Sequence, residues 1–173
     1  MPYAIELFLD DAADRQIRQM WAALDDHGIL SPGGVPDADY HPHISLTVFD
    51  QGDPDQIVHA LRPVLAQSVG LPLPLAPLGF FLTAEAPVFL GVIPSARFLA
   101  LHHVVHAVVE TMAEGIWPYY RPDALLPHCT LATGVTEPAR VAEIVRGFTI
   151  PVAARTASAH LVTVPGGQSI PLT

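Results

Sequence analysis

Only one of the 173 residues is cysteine, and only 8 are Lys or Arg against 17 Asp or Glu. A lone thiol, Cys129, excludes an intramolecular disulfide framework and predicts a reducing, cytoplasmic setting. The scarcity of cations leaves a formal net charge of −9. That balance argues against an extended nucleic-acid surface, because phosphate neutralisation dominates the affinity for long RNA or DNA. It does not exclude a small anionic ligand held by two or three local donors. Long apolar runs are lacking too. The stretch from Val69 to Leu82 is interrupted by Pro72, Pro74, Pro77 and Gly79, too broken to span a membrane. The first residues carry Glu6, Asp10 and Asp11 and no basic cluster, so no secretory signal is expected.

What is present is a chain 50% hydrophobic and only 14% charged, which excludes a disordered polymer. Its length suits one well-buried domain, or two small lobes sharing a core. Two five-residue strings stand out. Pro42-His43-Ile44-Ser45-Leu46 and Pro127-His128-Cys129-Thr130-Leu131 both read Pro-His-x-(Ser/Thr)-Leu. In a strand alternate side chains share a face, so His43 points with Ser45, and His128 with Thr130. Single His-x-(Ser/Thr)-Leu strings usually reflect packing. Two copies in equivalent surroundings point to a site with two imidazoles and two hydroxyls around one ligand.

His128 follows His43 by 85 positions, and a similar offset carries the neighbouring pattern. Tyr3–Leu9 and Val88–Ile93 read as strands. Helices are predicted over about 12–27 and 96–114, the second capped by Ser95, with Leu101, Val104, Val105, Val108 and Met112 as its apolar face. Loops over 28–42 and 115–127 then lead into His-bearing strands at 43–49 and 128–133. Asp53-Pro54 and Glu137-Pro138 start further helices, to about 67 and 146. Extended segments at 71–83 and 148–164 complete the halves. The predicted fold is α+β and bilobal, with two pseudo-symmetric β-α-β-α-β lobes whose antiparallel sheets form a central groove. It is a single domain over 1–173, lobe one mainly 1–83 and lobe two mainly 87–164.

The order of elements and the strings His43-Ile44-Ser45-Leu46 and His128-Cys129-Thr130-Leu131 resemble the 2H phosphoesterase superfamily, which includes 2′-5′ RNA ligase-like proteins and cyclic phosphodiesterases. The resemblance implies both His and both hydroxyl residues in one groove, with no metal and no cofactor needed. A His pair suits such chemistry because an imidazole near pKa ~6.5 exists in both protonation states around neutrality. One ring takes the proton of a water while the other protonates the leaving ribose oxygen. Ser45 and Thr130 would hold the phosphate by donating hydrogen bonds. The expected function is hydrolysis of a 2′,3′-cyclic phosphate or a related small cyclic or 2′-5′-linked nucleotide, by a monomer acting on a small nucleotide or RNA end. Which His is acid and which is base stays open. The alternative from another class is a non-catalytic nucleotide-binding module using the same groove.

Other residues carry two readings each. Arg121, in a loop with Trp117, Tyr119 and Tyr120, is either part of a lid that contacts phosphate or base, or packed surface. Tyr40, in the matching loop of lobe one, has the same choice. His102 and His106 lie one helical turn apart and raise the thought of a metallohydrolase. No His-Glu-x-x-His arrangement accompanies them, and an exposed helix face is the expectation. Cys129 should point away from the site as a buried thiol.

Overall fold

The computed structural model describes all 173 residues. In chain order the elements are β1 (Tyr3–Leu9), α1 (Asp11–Asp26), β2 (His43–Gly52), α2 (Pro54–Leu65), β3 (Pro72–Phe80), β4 (Val88–Val92), α3 (Ala96–Glu110), β5 (Ala113–Ile116), β6 (His128–Ala132), α4 (Pro138–Val145), β7 (Val152–Thr163) and β8 (Ser169–Pro171). Local signals explain two of the four helix starts. The Asp53 carboxylate accepts from the amides of Asp55 and Gln56, and the Ser95 hydroxyl from that of Phe98, filling orphan donors of the first turn. Glu137 makes no such bond. Asp10, ahead of α1, instead accepts from the Arg155 amide at 2.7 Å, tying the helix start to β7.

All strand pairings are antiparallel, in the order β5-β2-β1-β7-β3-β4-β6 with β8 on β7. The expected α+β fold of antiparallel sheets around a groove is thus present. The halves, however, exchange strands. β3, assigned from sequence to lobe one, pairs with β4, and β5 pairs with β2. β7 serves both lobes, Val152–Arg155 against β3 and Thr156–Thr163 against β1. Apolar alternation fixes which face of a strand is buried but not which neighbour it pairs with. One cluster of 34 buried residues draws on every part of the chain, from Ile5 and Leu46 to Leu90, Leu131 and Val141. The lobes therefore share one interior. α1 packs with α4, and α2 with α3. No helix is long and apolar enough to cross a membrane.

The second half of α3 departs from expectation. The helix ends at Glu110, and Ala113–Ile116 forms β5 rather than a last helical turn and loop. Gly115 adopts φ +69°, a conformation glycine enters without a Cβ penalty. The buried stripe is also rotated, running through Phe98, His102, Val105, His106 and Val109, while Val104 and Met112 are exposed. The predicted exposed histidine face holds for His103 only; His102 and His106 are buried. Val104 and Val105 are both apolar and adjacent, so periodicity alone could not choose the face.

His102 Nε2 donates to the Tyr120 carbonyl at 2.9 Å. Burial pushes its pKa down, opposed by that bond and aided by His106. An unfolded imidazole takes a proton below about pH 6.5, whereas the folded ring does so only at lower pH. The unfolded state then binds more protons in that window, so stability held at and above pH ~6.5 is lost as pH falls. His102→Gln keeps a donor but cannot charge. Urea unfolding at pH 7 and pH 5 should show a smaller acid-induced loss in the variant, and an unchanged loss would contradict this account.

Candidate active site

His43 is the first residue of β2 and His128 the first of β6. The five-residue strings become legible in three dimensions. Ile44 and Leu46, like Cys129 and Leu131, are fully buried on the core side, leaving His43, Ser45, His128 and Thr130 on the opposite, groove-facing side. The leucines mark matching irregularities. Glu6 pairs with Ser45 and Ile5 with Thr47, so Leu46 is skipped. Phe89 pairs with Thr130 and Val88 with Ala132, so Leu131 is skipped. Both are β-bulges, which end the alternation just beyond the hydroxyl residue and re-aim the strand.

Each imidazole is anchored identically. His43 Nδ1 lies 2.7 Å from the His41 carbonyl, and His128 Nδ1 2.7 Å from the Leu126 carbonyl. A carbonyl only accepts, so both rings carry hydrogen on Nδ1. This fixes the tautomer and leaves Nε2 of each ring for a ligand. The four motif side chains line one cavity of about 330 Å³, within the range of about 300–1,000 Å³ usual for small-molecule sites. A larger depression of about 880 Å³, beside His27, Arg140 and Phe148, contains none of them. The groove is the candidate site because titratable groups converge there, not because of its size.

The two rings differ in surroundings. Phe89 and Phe81 lie 4.8 and 5.1 Å from His128, centroid to centroid. Burial pushes the His128 pKa down, opposed by the Leu126 carbonyl and reinforced by His43. His43 instead has Glu6 Oε1 3.4 Å from its Nε2. Glu6 is only 8% exposed; burial raises its pKa, while His43 and His41 oppose the rise. Tyr40 and Tyr120 also line the cavity. Burial and then Glu6 push both phenols up, keeping them as neutral O–H donors. The Tyr40 ring rests on Gly166, where an added Cβ would come 2.8 Å from Cζ.

His43, Ser45, His128, Thr130 and Tyr40 are therefore brought together as expected from their positions in the chain. Tyr119 and Arg121 are not. Tyr119 is 70% exposed, Arg121 is exposed, and neither lines the groove. The short 3₁₀ turn Pro118–Tyr120 explains this, since successive residues in such a turn point about 120° apart. Tyr120 turns inward and its neighbour outward. Trp117 also reaches the groove and donates to Asp50 Oδ1 at 2.9 Å. Sequence reasoning missed Glu6 as a site residue, and it placed Tyr120 in the lid loop but singled out its neighbour Tyr119. A carboxylate in the middle of an apolar strand was the available signal for Glu6. Cys129 points into the core as expected, and burial pushes its thiol up to about 12.

A bilobal antiparallel sheet that places two His-x-(Ser/Thr) strands in one groove defines the 2H phosphoesterases. The model of the 2′-5′ RNA ligase superfamily matches residues 9–168, and the chain belongs to that superfamily. Membership sets the class of chemistry as phosphoesterase or ligase-like. Comparison with curated proteins by sequence finds no match. Among solved structures, Kluyveromyces marxianus Usb1 shares the fold at 14% identity and TM-score 0.53, over 99% of this chain and 97% of that one. A second structure of Usb1 from that organism, with uridine monophosphate, aligns at 15% identity and TM-score 0.51, over 99% and 96%.

Proposed function

We propose that the protein hydrolyses a 2′,3′-cyclic phosphate, or a related small cyclic or 2′-5′-linked nucleotide, with His43 and His128 as general acid and base and Ser45 and Thr130 holding the phosphate. The observation that carries this reading is the matched anchoring of the two rings. Both Nδ1 atoms are tied to the carbonyl two residues upstream, which commits both Nε2 atoms to the same groove. A water on one side of a phosphodiester loses its proton to one ring and attacks phosphorus. The ribose oxygen leaves on the other side and takes the proton of the second ring. The hydroxyls and the neutral phenols of Tyr40 and Tyr120 donate to the non-bridging oxygens as negative charge builds. Two imidazoles supply both proton transfers, so the scheme uses no metal.

The size of the groove supports a nucleotide-sized substrate, and so does the uridine monophosphate in the Usb1 structure of the same fold. No arginine lines the groove and the chain is acidic, which favours a short ligand over a long polyanion. The test is a screen of the purified protein against 2′,3′-cyclic mononucleotides, ADP-ribose cyclic phosphate and 2′-5′ dinucleotides, with and without a strong chelator. Turnover insensitive to the chelator is expected. Turnover abolished by it would overturn the metal-free scheme, and binding without turnover would favour a nucleotide-binding module.

A further inference from the structure

The pseudo-symmetry of the two lobes fails at one informative position. In lobe one the residue cross-strand from the motif hydroxyl Ser45 is Glu6. In lobe two the residue cross-strand from Thr130 is Phe89. Both directly follow the register shift in their own strand, so they are equivalent sites in the two sheets. One places a buried carboxylate 3.4 Å from Nε2 of its histidine. The other places a phenyl ring against its histidine, with the centroids 4.8 Å apart.

Burial pushes the Glu6 carboxyl towards its neutral form, and a positive neighbour opposes that shift, because an uncompensated buried charge is costly. The groups facing Glu6 are Tyr40 and His41 from the segment before β2, His43 on β2, Tyr120 beyond β5, and His160 directly across on β7. Tyr40 and Tyr120 are neutral donors. His160 faces its own partners, Ser158 at 2.8 Å and Phe8 stacked at 4.0 Å, and burial lowers its pKa. His41 pairs loosely with exposed Asp39 at 3.8 Å. Among these groups His43 is the one with a ring nitrogen at ion-pair distance. Its Nδ1–H is already given to the His41 carbonyl, so Nε2 is the ring atom left to face Glu6. At 3.4 Å the contact is too long for a closed hydrogen bond, so Nε2 keeps its bonding capacity for a ligand oxygen.

We infer that Glu6 is a positioning residue that keeps a proton on His43 Nε2, making His43 the general acid and leaving His128, among phenyl rings, as the general base. The inference rests on the hydrolytic reading above and assigns the roles that the motifs leave open. In the forward reaction His128 Nε2 takes the proton of the attacking water, the water oxygen bonds to phosphorus, and the bond from phosphorus to the leaving ribose oxygen breaks. That oxygen takes the proton from His43 Nε2. His43 ends neutral and His128 protonated. His128 then releases its proton to solvent, while Glu6 draws a proton from solvent back to His43, so no other reactant is needed.

Two measurements test this. The first is the imidazole nitrogen NMR spectrum of the unmodified protein and of Glu6→Gln, which preserves the shape of the side chain. At pH 7 His43 is expected to show the doubly protonated pattern and His128 the neutral one. In Glu6→Gln the His43 pattern should become neutral and that of His128 stay unchanged. A doubly protonated His128 beside a neutral His43 in the unmodified protein, which requires no variant to fold, would overturn the assignment. So would a His43 pattern indifferent to Glu6→Gln. The second is the rate profile on a 2′,3′-cyclic mononucleotide. The alkaline limb should move to lower pH in the variant, with kcat at neutral pH falling roughly tenfold and KM nearly constant. A uniform fall at all pH values would indicate a merely structural role and defeat the proposal. If no cyclic phosphate is turned over while the spectra keep the expected order, the hydrolytic reading fails and the charge relation of Glu6 to His43 stands.

Discussion

His128→Ala is expected to lower kcat on a 2′,3′-cyclic mononucleotide by roughly 10²–10⁴-fold, the usual contribution of one positioned proton-transfer group. His43→Ala should lose a similar factor. Because each ring serves the same step, the double variant should lose less than the product of the single losses. The imidazoles are half-buried and open their strands, so truncation removes little core packing, and the thermal midpoint should move by only a few degrees. The wild-type rate should follow a bell-shaped pH profile, one limb from each ring, and each single variant should retain only one limb. Turnover that survives either truncation would remove the two-histidine scheme. A profile flat from about pH 5 to pH 9 would do so equally.

The second large effect is expected at the hydroxyls. Thr130→Val keeps the shape of the side chain and removes its donor, and Ser45→Ala does the same one lobe away. Donors aimed at charge that grows in the transition state are each worth roughly 10²–10³-fold in kcat, with KM changing much less. Thr130→Ser should recover most of the rate, because it restores the hydroxyl on the same strand face. Ser45 also meets Tyr120 across the groove, where it favours the ionised phenol against burial and Glu6. Ser45→Ala is therefore expected to cost somewhat more than Thr130→Val, by loosening the phenol as well. A rise in KM with kcat unchanged in both variants would mean that the hydroxyls bind the ground state only, and would remove their role at the transition state.

The groups responsible for these effects were not equally visible in the chain. The four motif residues could be found because strand alternation is a local rule. A histidine and a hydroxyl two residues apart on a half-buried strand must share a face, whatever the strand pairs with. Glu6 could not be found that way. Its proposed role comes from lying across from Ser45, and that pairing depends on the bulge at Leu46. The offset that relates the two His strands is 85, while the cross-strand equivalents Glu6 and Phe89 are 83 apart. Superposing the halves by sequence therefore sets the wrong residues against each other. Tyr120 and Tyr119 illustrate the same limit. Both are aromatic, adjacent and within a proline-bounded loop, and only the tight turn decides that Tyr120 enters the groove.

The amino-acid sequence determined the two motif strands, the helices, the class of chemistry and the two histidines, because each depends on periodicity, capping or residue type within a few positions. The tertiary structure alone decided the exchange of β3 and β5 between lobes, the sharing of β7, the burial of His102 and His106, and the company each motif imidazole keeps. Those follow from which strand lies beside which, a matter of long-range packing that satisfies backbone hydrogen bonds and fills one interior at once. The sequence presents the two motifs as near copies. The folded chain makes them different, with a carboxylate beside one imidazole and phenyl rings beside the other.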